Sequence, residues 1–143
     1  MSADKNLNYG IIGNCRSAAL ISDKASIDWC CLPKFDSSSV FAKILDDEKG
    51  GGFCIETKQK FDISQSYLED TCILKTNFRN VNHEFEVIDF MPRFVKNKGE
   101  FYAPPEIIRI VKPIKGYPEI KFKYDPRLEY ALGKTKHVNK KNM

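Results

Sequence analysis

At 143 residues, 42% of them apolar, the chain has the length of one domain and enough hydrophobic material to bury a core without disulfides or a metal. It has no apolar run of about 18 residues or more, and its opening, MSADKNLNYG, is polar, so neither a membrane span nor a signal peptide is expected. Its formal charge of +4 equals the contribution of Lys134, Lys136, Lys140 and Lys141, so the body up to residue 132 is neutral, which argues against nucleic-acid binding through a basic face.

Short runs of β-branched and aromatic residues, separated by Gly, Pro, Asn and Asp, recur along the chain and predict about eight antiparallel strands. The first two are Tyr9 to Ile12 and Ser17 to Ser22, and the turn Asp23, Lys24, Ala25 leads into a third, Ile27 to Leu32. Strict alternation there puts Ile27, Trp29 and Cys31 on one face and Asp28, Cys30 and Leu32 on the other. One short helix is predicted next: Asp36 and Ser37 offer capping oxygens, and Val40, Phe41, Ile44 and Leu45 have three-and-four spacing. Gly50, Gly51 and Gly52 permit a reversal into the strand Phe53 to Thr57.

Thr71 to Phe78 and His83 to Phe90 alternate on either side of Asn80, Val81, Asn82 and predict a hairpin, with a loop from Phe94 to Pro105. Strands Glu106 to Lys112 and Glu119 to Tyr124 are expected on either side of a breaker segment, Pro113 to Pro118. So many apolar faces need two layers, giving a mainly β fold, an antiparallel β-sandwich over residues 1–132. Residues 133–143 form a basic tail with no apolar period, expected to be disordered.

Five cysteines, at 15, 30, 31, 54 and 72, are an odd count without a framework, which suits buried thiols in a reducing, cytoplasmic setting. Adjacent Cys30 and Cys31 lack the second ligand pair that zinc requires, so no metal or other cofactor is expected. His83 and His137 are isolated from any nucleophile pattern, and the glycines at 50 to 52 lack the GK[ST] ending of a phosphate loop.

The blocks YGIIGNCRSAALI, SIDWCCLPKFDSSSVFAKILD, GGFCIE, DTCILKTNF, VIDFMPR and PPEIIRIVKPIKGYPEIKFKYDPRLEYA, in that order over residues 8 to 131, resemble the trehalase-like N-terminal domain of family 15 glycoside hydrolases. Members usually have Gly before SIDW and Pro after FDS, where this chain has Ala25 and Ser38. The resemblance implies a supersandwich-like N-terminal domain, or its first part, supporting a helical (α/α)6 barrel. In that family the barrel carries the two catalytic glutamates and hydrolysis inverts the anomeric centre. The expectation is therefore a noncatalytic domain that partners such a barrel in cis or in trans, near α-glucoside substrates, with an exposed interdomain surface able to self-associate. A free-standing carbohydrate-binding or protein-interaction module is the alternative.

Trp29, Phe35, Asp36 and Arg109 are the candidate substrate-binding residues, since sugar recognition needs aromatic faces and groups that bond hydroxyls. Structural roles compete for each. The structural reading is the stronger one: Trp29 as a core or interdomain side chain, Asp36 as a helix cap, and Arg109 as a partner for Asp28, Asp36 or Asp89. No catalytic residue is expected in this chain.

Overall fold

The computed structural model describes residues 7–136 and 138, and over these the predicted alternation becomes two packed sheets. The chain forms β1 (Tyr9–Gly13), β2 (Ala18–Ser22), β3 (Ile27–Cys31), β4 (Ser39–Phe41), β5 (Gly52–Thr57), β6 (Asp62–Tyr67), β7 (Leu74–Arg79), β8 (Glu84–Phe90), β9 (Phe94–Val95), β10 (Phe101–Tyr102), β11 (Ile108–Lys115) and β12 (Ile120–Asp125). One sheet, the front sheet, has six strands in the order β1-β2-β3-β5-β12, with β4 also pairing β3; the back sheet has four, β11-β8-β7-β6. Strands β9 and β10 make a separate two-stranded ribbon, and every pairing is antiparallel. Most of the basic tail expected to be disordered, residue 137 and residues 139–143, lies outside the described residues.

The inner faces are the apolar halves of alternating strands. Ile12, Ala19, Ile21, Ile27, Cys30, Phe41, Leu74 and Met91 form one buried cluster, and Ala25, Phe78, Phe85 and Val87 form a second toward the opposite end. Phe78 and Phe85 stack with ring centroids 4.5 Å apart, and Phe61 meets Phe85 edge-on at 5.4 Å. Each such side chain contributes roughly 1.5–3 kcal/mol by leaving water, so these clusters dominate the favourable side of folding.

Strand β3 departs from strict alternation. Leu20 lies opposite Trp29 while the next residue, Ile21, lies opposite Ile27, so Asp28 is the extra residue of a β-bulge. A bulge flips the alternation beyond it. Ile27 and Cys30 consequently share the buried inner cluster, whereas Trp29 turns to the outer face with Leu20; the predicted sharing of one face by Ile27, Trp29 and Cys31 is corrected by this one inserted residue.

The predicted helix after Asp36 does not form. Val40 and Phe41 are drawn into strand pairing, Phe41 opposite Cys30, and the chain then closes a loop of turns. Leu45 and Asp46 donate their N–H groups to Ala42 O, Gly50 N donates to Asp46 O, and Ala42 N donates to Gly50 O at 2.9 Å. Asp46 Oδ1 accepts from the N–H groups of Glu48 and Lys49, each at 2.9 Å, so the capping acid of this segment is Asp46. Two residues already committed to a sheet leave too few to nucleate a helix. The glycine reversal does form: a Cβ on Gly50 would sit 2.2 Å from Ala42 O, and Gly51, at φ +67°, would bring one to 2.3 Å from Asp125 O.

Three further boundaries differ. Strand β6 lies outside the predicted set because DISQSY is mostly polar; it is an exposed edge that pairs β7. Within the predicted Phe94 to Pro105 loop lies the β9–β10 ribbon. Strand β11 runs through Pro113, which lies opposite Phe85 on an edge strand, where a missing N–H costs no ladder bond.

Candidate functional site

The four candidate residues fall in three places. Arg109 stands at the seam between the sheets: Asp89 lies opposite it on β8, and both side chains are almost wholly buried, 4% and 0% exposed. Its Nε and Nη2 donate to the two Asp89 carboxylate oxygens at 2.7 and 3.0 Å, and Nη1 donates to Phe53 O on the front sheet at 3.0 Å. The guanidinium also lies over the Phe53 ring, 4.7 Å from its centroid. Burial pushes the Asp89 carboxyl upward, and the Arg109 guanidinium opposes that shift by hydrogen bond and charge. With each of its three nitrogens donating a bond inside the seam, Arg109 fastens one sheet to the other.

Trp29 is half-buried on the outer face of the front sheet, its ring 6.4 Å from that of Tyr130, which comes after β12. The bulge that puts it there also turns Asp28 outward. The buried Asp28 carboxylate accepts from Tyr9 OH at 3.0 Å and from Ser26 Oγ, and Ser26 Oγ in turn touches Cys54 Sγ at 3.0 Å. Burial, and next the charge of Asp28, push the Tyr9 phenol up to about 12. Lys43 Nζ approaches Cys54 Sγ at 3.6 Å on the same surface.

Phe35 and Asp36 sit together in the exposed loop before β4, Phe35 being 61% exposed. This loop is held from below: Phe35 N donates to Arg16 O at 3.0 Å, and Ser37 Oγ accepts from Lys34 N at 3.1 Å. The local cap is thus Ser37 rather than Asp36, and there is no helix for Asp36 to cap. Under the loop, Asn14 is buried and joins three segments: its Oδ1 accepts from Arg16 N and Ser17 N, and its Nδ2 donates to Pro104 O at 2.8 Å. Arg16 Nη1 reaches Ala103 O at 3.3 Å. The GNCRS block is therefore the organiser of one end of the sandwich, a role its polar residues do not advertise because neighbours distant in sequence supply the partners.

Beside this end projects the β9–β10 ribbon, with the Arg93 guanidinium 4.1 Å above the Phe101 ring and Lys96 Nζ 4.5 Å above Tyr102. On the far flank, Phe122 and Tyr124 of β12 point toward the inner side of the front sheet, in line with Phe53, yet are 48% and 58% exposed. They pack edge-on or tilted against Phe53 and Phe41, with centroids 5.3–6.1 Å apart. In KFKY the signal for these two is present as alternation; that the face stays uncovered is not written locally. Among the described residues no group of three or more His, Cys, Asp or Glu could hold a metal ion, and no helix is long and apolar enough to cross a membrane.

The described residues thus form a two-sheet sandwich with an organised loop end and a half-exposed aromatic flank. Residues 4–142 match the family of the N-terminal domain of trehalase-like proteins, and the chain belongs to that family. It is 46% identical over 113 residues, 78% of its length, to Trehalase 2 of Sulfolobus acidocaldarius, and 37% identical over 129 residues, 88% of its length, to the trehalase of Thermoplasma volcanium. Similarity extends at 26% identity to the trehalase of Mycolicibacterium smegmatis, covering 86% of the chain. In each case the chain spans only about a fifth of the relative's length, 19–20%. No solved structure matches it.

Proposed function

We propose that this chain is the noncatalytic N-terminal β-sandwich portion of a glucoamylase- or trehalase-like family 15 glycoside hydrolase acting on α-glucosides in the cytoplasm. Its partner is a helical (α/α)6 catalytic domain, joined in the same polypeptide or supplied by another chain, and its role is to support that barrel. One observation carries most of the weight: the match to these relatives covers 78–88% of this chain and only about a fifth of theirs.

The carboxylates agree. An inverting glycosidase needs an acid and a base facing a sugar, roughly 6.5–9.5 Å apart. Among the described residues the two buried carboxylates are otherwise engaged, Asp89 by Arg109 and Asp28 by Tyr9 and Ser26. Among the candidate sugar contacts, Phe35 and Asp36 are the pair whose exposure and adjacency suit the rim of a neighbouring pocket; Trp29 is better placed to pack against Tyr130, and Arg109 to fasten the sheets.

The test is glucose release by the purified 143-residue chain from trehalose, maltose and isomaltose. No turnover above buffer is the expected result. Turnover that disappears with a carboxylate substitution in this chain would refute the proposal.

A further inference from the structure

Along its paired path, with β4 set aside, the front sheet has five strands to the back sheet's four and is one strand wider. At one flank the back sheet reaches β1: the Tyr67 hydroxyl of β6 accepts from Ile11 N at 2.7 Å and donates to Ile11 O at 2.8 Å, occupying the edge of that strand. At the other flank Arg109 of β11 bonds Phe53 O, so β11 stands over β5. Strand β12 lies one step beyond β5, and among the described residues no strand stands above it. Coverage fades along β12: Ile120 still packs on the inner cluster with Val111, whereas Phe122 and Tyr124 are about half exposed on the same face.

Strand β11 is itself an open edge. Among the described residues it pairs β8 on one side only, within Ile108–Lys115, and so presents backbone N–H and C=O groups that a further strand can complete, most regularly over Ile108–Lys112, before Pro113 removes a donor. Adjacent strands lie about 4.8 Å apart. A strand added beside β11 is therefore displaced by the same step that carries β12 away from β5, which puts it over Phe122 and Tyr124. One extended segment would satisfy the backbone edge and cover the two rings at once; a helix laid on the rings would leave the edge unpaired.

We infer that the open edge of β11 and the β12 rings Phe122 and Tyr124 together form a docking site for an extended, apolar segment supplied by the remaining four-fifths of the trehalase-like polypeptide. This rests on the reading of the chain as the N-terminal portion of such a protein. A second copy of this chain is a poorer occupant, because pairing two β11 edges would bring Lys112 and Lys115 of both copies together, and like charges across paired strands repel.

The inference is tested in a chimera in which this chain replaces the matched N-terminal stretch of Trehalase 2 of Sulfolobus acidocaldarius. Trehalose hydrolysis and soluble yield are measured for the unsubstituted chimera, for Phe122→Ser with Tyr124→Ser, and for Val81→Ser, which lies on the exposed turn between β7 and β8. Expected are an active, soluble chimera, a loss of about fivefold or more in soluble active yield for the β12 pair, and no change for Val81→Ser. The isolated chain carrying the β12 substitutions checks that its own fold survives, read as an unchanged far-ultraviolet spectrum.

An active chimera indifferent to the β12 pair overturns the inference and leaves the domain reading standing. So does an isolated chain that forms a dimer abolished by the same pair while the chimera is unaffected. An unsubstituted chimera that neither folds nor hydrolyses trehalose counts against the domain reading and, with it, the inference.

Discussion

Two parts of the same inner surface are built from the same kinds of residue and end in opposite states. Over β1 to β5 the aromatic and aliphatic side chains of the front sheet meet those of the back sheet, and Arg109 with Asp89 closes the seam. One strand further on, Phe122 and Tyr124 have the same alternation and the same inward aim and remain half exposed. The two differ in the number of strands in the opposing sheet, not in local sequence. Burial is a property of the pair of layers, and a strand can be patterned for a partner that another part of the polypeptide must supply.

This contrast can be broken most sharply at the seam. Arg109→Ala leaves the Asp89 carboxylate buried without its counterion and is expected to destabilise the chain by about 3–5 kcal/mol in urea unfolding, while Arg109→Met combined with Asp89→Leu recovers most of the loss. Equal losses for the single and double variants would show that the pair is not the fastening element. Two phenylalanines, one on each part of the surface, should differ next. In the isolated chain Phe85→Ala should cost about 3–5 kcal/mol, as a fully buried ring does, and Phe122→Ala about 1 kcal/mol, because half of its surface already lies in water.

Alkaline pH probes both faces of the front sheet, through Tyr9 on the outer face and Cys30 in the inner cluster. Burial holds the Tyr9 phenol, ordinarily near 10.0, and the Cys30 thiol, ordinarily near 9.0, up to about 12. Folded-state values above the unfolded ones mean that the neutral forms are favoured by folding, so their contribution is intact below about pH 9 and is lost as pH rises toward 12. The melting temperature should fall steeply in that window. Tyr9→Phe, which removes the hydrogen bond to Asp28 at a cost of about 1 kcal/mol, should flatten the upper part of the fall. The smallest effect is expected at Asp36→Ala, within about 0.5 kcal/mol, since this exposed side chain caps no helix.

Much of the sandwich is legible in the sequence. Strands β1, β2, β3, β5, β7, β8 and β12 follow from period-two alternation and turn residues to within a few residues, because each carries apolar side chains on one face, a face that is buried in all of them except β12. The failures have physical causes. Val40, Phe41, Ile44 and Leu45 have helical spacing, but pairing of Phe41 with Cys30 across the sheet overrides it. Polar β6 is held by its hydrogen bonds to β7 and by the Tyr67 hydroxyl, neither of which leaves an apolar period. The bulge at Asp28 reverses the facing of Trp29, and nothing in SIDWCC distinguishes a bulge from plain alternation. Of the candidate site, Arg109 is readable as an ion-pair partner of Asp89, whereas the organising part played by Asn14 depends on carbonyls of Pro92 and Pro104, 78 and 90 residues away.

The most direct measurement is amide hydrogen exchange over residues 108–125, compared between the isolated chain and the same segment within the chimeric trehalase. Exchange there is expected to slow about tenfold or more in the chimera while Phe85–Asp89, already sealed between the sheets, stays the same. Identical exchange of residues 108–125 in both proteins would contradict the account, because the flank would then be as complete alone as it is in company.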